Sequence, residues 1–174
     1  MARIGVVTAT DPEGADGLAL LFRAVAERDP DPAMAAARAL LGRGPGLTPE
    51  GDDLLAAVAG TLAVLGPAVG MPDRPREPPL AVLGTPDPPW EPLLAVLGPL
   101  LGRTTALSAT LLALALERRL PEPAARLLDF SPAGDRAWPA ALTRLKRLGH
   151  GSGRAYAAGI AATTSLLAAA PFRR

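Results

Sequence analysis

The chain has 174 residues, of which 49% are hydrophobic and 3% aromatic, with a net charge of +1. That size fits one domain, with a core built from Leu, Ala and Val rather than from rings. The balanced charge gives no electrostatic case for a nucleic-acid partner, and the absence of cysteine excludes disulfides, thiolate ligands and a cysteine nucleophile.

Asn and Gln are also absent, and Lys146 is the single lysine. Loss of the two amides is common in thermophiles, but scarce lysine is not, so codon bias explains the composition equally well. No stretch reaches the roughly 18 consecutive apolar residues of a membrane helix. Ala106–Leu116 is too short, and Ala155–Ala170 is interrupted by Gly159 and by threonines. Met1–Val7 lacks the long apolar region of a secretory signal. The expectation is a soluble cytoplasmic protein with no membrane partner and no nucleic-acid partner.

In chain order, Arg3–Thr8 fits one short strand and Asp11–Asp16 a turn. Leu18–Glu27 has helical apolar spacing and ends before Asp29-Pro30-Asp31-Pro32. Pro32 starts a second helix, Ala33–Leu41, which Gly42 stops. A loop dense in glycine follows, with Gly42, Gly44, Gly46 and Gly51. Thr48-Pro49 reads as an N-cap and first helical residue, opening a third helix over Pro49–Leu65. Pro67–Pro92 holds too many prolines for a regular helix and reads as a loop or linker, with Trp90 anchoring its end to the core. Glu91–Leu101, Arg103–Leu120, Pro121–Leu128 and Trp138–Leu148 then read as helices. The cluster Gly149-His150-Gly151-Ser152-Gly153 opens the last one, which runs to Ala170. The class is mainly α: a single-domain helical bundle with glycine-rich loops at helix N-termini.

Small residues recur at spacings of three and four in three of these helices, at 52, 56, 59, 60 and 63, at 105, 109 and 113, and at 155, 158, 159, 162 and 163. Each set lies on one helix face. The expectation is a tight central bundle of these three helices, with their N-terminal loops gathered at one end.

The first loop carries the sharpest chemical signal. Its glycines and the following helix N-terminus offer free N–H groups suited to an anion. Glu50, Asp52 and Asp53 oppose a bare anion there. A divalent cation such as Mg²⁺ held by Asp52 and Asp53, or a ligand carrying N–H donors, resolves the conflict. The plain structural alternative is that these acids complement the helix dipole and cap its amides. Adjacent helical residues point about 100° apart, so one aspartate faces a site while the other orients it or ties down a loop. Gly51 is followed by Asp52, so the loop is not a P-loop. The last cluster does not centre its serine as a nucleophile elbow requires. With His150 the sole histidine, a multi-histidine metal site is excluded. Thr104 and Ser108 stand one turn apart and either line a pocket or cap and back-bond to their own helix.

Three motifs in order carry a resemblance. Gly44-Pro45-Gly46-Leu47-Thr48-Pro49 with Gly51-Asp52-Asp53, Thr104-Thr105 with Ser108-Ala109-Thr110-Leu111-Leu112, and Leu148-Gly149-His150 with Ser152-Gly153 and Gly159 resemble the signature of the DUF2877 family over residues 41–167. Members of that family include a subunit of the oxamate carbamoyltransferase complex of anaerobic allantoin degradation. The resemblance implies carbamoyl transfer between oxalurate or oxamate and phosphate, in company with partner subunits or in a homo-oligomer. Members are typically longer, with a β-rich region ahead of the glycine loop, where this chain has only residues 1–41. The family also tends to carry an acidic residue two places after the Ser-Gly of the last motif, where this chain has Ala155.

The site expected from motif and resemblance together has Asp52, Asp53 and His150 as catalytic residues. Gly44, Gly46, Thr48, Thr104, Thr105, Ser108, Ser152, Gly153 and Arg154 would bind a ligand of the carboxylate, phosphate or carbamoyl class. Arg154 would meet its anionic end. The rival expectation is a non-catalytic ligand-binding or scaffold protein. A stand-alone hydrolase has little support, since no activated nucleophile is visible.

Overall fold

The computed structural model describes residues 12–68, 90–129 and 132–169. Among them are eight α-helices and no strand: α1 (Pro12–Glu27), α2 (Pro30–Leu40), α3 (Glu50–Leu65), α4 (Glu91–Ala95), α5 (Ala106–Leu116), α6 (Glu122–Leu127), α7 (Pro132–Lys146) and α8 (Ser152–Ala169). The mainly α reading holds. The strand expected over Arg3–Thr8 and most of the proline-rich segment lie outside the described residues.

Every residue from Gly51 to Ala63 is buried, so α3 is covered on all sides and forms the axis of the bundle. It packs along α8 and α5, while α1 pairs with α2 and α6 with α7. The expected trio is therefore a centre with two flanks, because α5 and α8 scarcely meet each other. Close approach of α3 and α8 depends on small residues. A Cβ added at Gly159 would lie 2.7 Å from the Ala57 methyl and 3.2 Å from the Leu54 carbonyl oxygen. The same spacing misplaces the face of α5. Its buried residues are Ser108, Leu112 and Ala115 rather than Thr105, Ala109 and Ala113. That helix is apolar all round, so its sequence has no period to read, and the larger Leu112 takes the core.

Several boundaries move. A helix from Pro12 replaces the expected turn over Asp11–Asp16, and its glycine at 17 serves the α1–α2 contact, where a Cβ would stand 3.0 Å from that of Ala39. Asp29 caps α2, accepting the Asp31 N–H at 2.9 Å, with Pro30 in the first turn. Gly98-Pro99 divides the expected helix over Glu91–Leu101 into α4 and a 3₁₀ turn, Gly98–Arg103. α5 starts later and stops earlier than expected. Thr105 caps its start, and Arg118, with φ +65°, lies just past its end. α7 begins before Trp138 and runs through Pro139.

Trp90 is 1% exposed, as an anchor should be, and its ring lies against Gly66 at the C-terminal end of α3. The Arg28 guanidinium sits 5.0 Å from that ring's centroid.

Candidate functional site

The three motif loops meet at the N-terminal end of α3, as their small-residue helices led us to expect. The Thr48 and Ser152 hydroxyls lie 3.0 Å apart, joining the first loop to the third. The Thr105 hydroxyl donates to the Leu47 carbonyl at 2.6 Å, joining the second to the first.

The first loop can make this turn because of its glycines. Gly42, Gly44 and Gly46 have φ of +75°, +113° and +93°. At Gly44 a side chain is excluded twice, by that dihedral and by the Glu50 backbone nitrogen, which a Cβ would approach to 2.8 Å. The Gly51 N–H closes the loop on the Arg43 carbonyl at 3.0 Å, and its Cα packs against the Leu40 carbonyl too closely for any side chain. Gly153 is enclosed in the same way by the Leu145 carbonyl. The helix starts one residue later than Thr48-Pro49 suggests. Pro49 is the N-cap, and the Thr48 hydroxyl turns to Ser152 instead of capping.

The adjacent aspartates divide their roles as the 100° offset requires. Asp52 is 2% exposed, and both of its oxygens are engaged by the protein. Its Oδ1 accepts the Gly42 N–H at 2.7 Å, and its Oδ2 accepts the Thr104 hydroxyl. Asp52 therefore ties the end of α2 and the approach to α5 to the start of α3. Asp53 is 3% exposed and turned towards α8. It bonds the Ser152 hydroxyl, but its Oδ2 has no partner. Burial pushes its pKa from 3.8 up to about 6; the Ser152 bond opposes this, and the charges of Asp52 and Glu50 add to it.

Two residues that sequence reasoning left out of the site stand beside Asp53. Tyr156 is 3% exposed, and its hydroxyl is also without a partner. Burial, then the charge of Asp53, holds that phenol above the usual tyrosine range. Its signal in the sequence is position: Tyr156 lies one turn beyond Ser152 and is the only tyrosine. Glu50 is the other. Its carboxylate lies over Gly151, where a Cβ would stand 2.6 Å from Oε1.

The remaining candidates are placed less centrally. Thr105 accepts the Ser108 N–H at 3.1 Å as a cap, and the Ser108 hydroxyl reaches the Leu47 carbonyl at 3.4 Å. With Thr104 on Asp52, the hydroxyls of Thr104, Thr105 and Ser108 serve the loop architecture, while Thr110 bonds back to the Ala106 carbonyl of its own helix at 2.8 Å. His150 is exposed, and its carbonyl accepts from Arg154 Nη2 at 3.1 Å. Gly44 and Gly46 shape the loop from its exposed side. Among the described residues, no group of three or more His, Cys, Asp or Glu side chains is placed to hold a metal ion. No helix there is long and apolar enough to cross a membrane.

In chemical terms the centre is a buried acceptor, Asp53 Oδ2, near a buried donor, the Tyr156 hydroxyl, with two hydroxyls at its edge. Buried polar atoms normally find partners, and here two of them in one place have none.

The family model described as oxamate carbamoyltransferase subunit AllH matches residues 40–164. That span includes all three loops and α3, α5 and most of α8. No curated protein and no solved structure matches the chain. The chain belongs to the oxamate carbamoyltransferase subunit AllH family, which DUF2877 names as well. A subunit of an oxamate-carbamoyltransferase-like complex implies partner protein chains.

Proposed function

We propose that this member of the family takes part in carbamoyl transfer between oxalurate or oxamate and phosphate, in purine (allantoin) degradation, by binding a small polar ligand beside Asp53. The observation that carries the reading is the unpartnered Asp53 Oδ2, buried where the three motif loops meet. An amide or carbamoyl group suits it. The ligand N–H donates to Asp53 Oδ2, and the Tyr156 hydroxyl donates to the ligand's oxygen. The Thr48 and Ser152 hydroxyls would flank the ligand, and Gly153 lets the start of α8 pack on the Leu145 carbonyl beside them. In the direction of oxalurate breakdown, phosphate attacks the carbamoyl carbon, the C–N bond breaks, and the departing oxamate nitrogen takes a proton. Asp53, half-protonated near pH 6, is suited to hold or pass a proton near that nitrogen. Asp52 keeps the loops in register and does not meet the ligand. Arg154 faces solvent and would meet an anionic end only after release from the His150 carbonyl.

The rival reading is a non-catalytic binding or scaffold subunit. It is supported by the second motif, whose Thr104, Thr105 and Ser108 hydroxyls are spent on holding loops together. A thermal-shift screen with oxamate, carbamoyl phosphate, phosphate and Mg²⁺, run on the wild type and Asp53→Asn, separates the two. A ligand present at about 100 times its Kd stabilises the wild type by about 2.7 kcal/mol. Asp53→Asn should remove that shift while leaving the unliganded chain folded. A shift that survives in Asp53→Asn would overturn the site. No shift with any of the four, together with normal activity of a complex reconstituted around Asp53→Asn, would favour the scaffold.

A further inference from the structure

We propose that the end of the molecule where the three loops meet is the docking face for a partner subunit whose own surface is acidic around an apolar centre. The inference rests on the reading that the chain works inside a complex. Among the described residues, the exposed large apolar side chains are Leu47, Leu107, Trp138 and Leu148. A single exposed leucine needs no explanation. Here three of the four fall at one end, one for each motif. Leu47, 73% exposed, is on the first loop, Leu107 is in the first turn of α5, and Leu148 directly precedes the third loop. The bond from Thr105 to the Leu47 carbonyl sets Leu47 beside the start of α5, and the Thr48–Ser152 pair brings the third loop to the same surface.

The Leu47 loop is exposed from Gly44 onward yet held in place. Thr105 and Ser108 fix the Leu47 carbonyl, and the Gly51 N–H closes the base of the loop. An anchor already held in one conformation loses little freedom on binding.

Charge selects the occupant. Arg103, Lys146, Arg147 and Arg154 are exposed around the leucines and form no ion pair among the described residues. The acids of the same segments are withdrawn, Asp52 and Asp53 into the core and Glu50 to half-burial. The exposed charge of this face is therefore positive. A second copy docking through the same face would set like charges against each other, because a two-fold interface pairs a patch with itself. A different chain with acidic residues around an apolar centre fits, and a stable contact there should bury about 800 Å² on each side.

The test is co-expression with the companion oxamate carbamoyltransferase subunits of the same genome. The readouts are size-exclusion chromatography with light scattering and titration calorimetry. Wild-type affinity should fall as salt rises from about 50 to 300 mM, a range that shortens the screening length by a factor of about 2.4. Leu47→Asp with Leu107→Asp, and separately Lys146→Glu with Arg147→Glu, should each weaken binding at least about tenfold, the scale of a lost interface anchor. Both double variants should keep the helical circular-dichroism spectrum and Tm of the wild type. Trp138→Asp, away from the loops, should bind normally. If the wild type binds a companion and both double variants bind as well as it does, the docking face is overturned while the complex reading stands. If the wild type binds no companion, both are overturned. Self-association abolished by the same substitutions would make the occupant a second copy and refute the acidic partner.

Discussion

The two ends of α3 are both buried, but they are held by different forces. At the C-terminal end Trp90 fills the space over Gly66 and the Arg28 guanidinium covers its ring. Apart from that cation and the unpartnered Trp90 Nε1, the joint is apolar. At the N-terminal end the packing is polar, with two carboxylates at 2% and 3% exposure and positive-φ glycines in the loops around them. Apolar burial at one end stabilises without asking for any particular partner atom. Buried charge at the other end costs free energy unless donors are placed for it, and Asp53 Oδ2 is left without one. The unpartnered atom at the polar end belongs to a carboxyl group, whereas the one left over at the Trp90 end is a neutral N–H, which is less costly to bury.

Breaking the apolar end should have the largest effect. Trp90→Ala empties a fully buried ring site and should cost about 3–5 kcal/mol, read as a lower urea midpoint with an unchanged slope. Ligand binding at the far end should persist at temperatures where the variant is folded. Loss of binding there, with stability intact, would mean that the two ends are not separate.

Asp52→Ala should come next. It orphans the Gly42 N–H and the Thr104 hydroxyl, both bonded to a charged acceptor, and should cost about 2–3 kcal/mol. Sequence reasoning alone makes Asp52 a catalytic residue; the geometry makes its replacement chiefly a fold mutation. A variant as stable as the wild type would show that these bonds contribute little.

The finest comparison is between neighbours. Asp53 has its pKa raised from 3.8 to about 6, so the folded state favours the protonated form. Between those values the folded chain binds more protons than the unfolded one, and stability falls as pH rises through that window. The Asp53 contribution is most favourable below 3.8 and least favourable above 6. Asp53→Asn should remove this part of the slope and leave the variant at least as stable as the wild type at neutral pH. Unfolding midpoints from pH 3.5 to 7.5 measure it. An unchanged slope in Asp53→Asn would place the titration elsewhere.

Much of the fold was legible because proline and glycine punctuate this chain heavily. Gly42 directly follows the C-cap of α2, Pro121 is the N-cap of α6 and Gly149 falls in the turn between α7 and α8, whereas α2 opens at Pro30, two residues before the expected Pro32. The misplaced starts of α1 and α7 share a cause: Gly14 and Gly17 in one and Pro139 in the other look like breaks, yet both helices continue through them. The face of α5 was not legible because its sequence is apolar on every side.

For the site, sequence alone determined that three glycine- and hydroxyl-rich segments precede helices with small-residue faces. It also determined that Asp52 and Asp53 cannot point the same way, since that follows from helical geometry whatever surrounds them. Only the tertiary structure decided which aspartate ties the loops and which is left open. The donors that engage Asp52 come from Gly42 and Thr104, far apart in the chain, and the fold alone brings them to one carboxylate. The same holds for Tyr156, whose hydroxyl matters because packing of α8 on α3 buries it near Asp53.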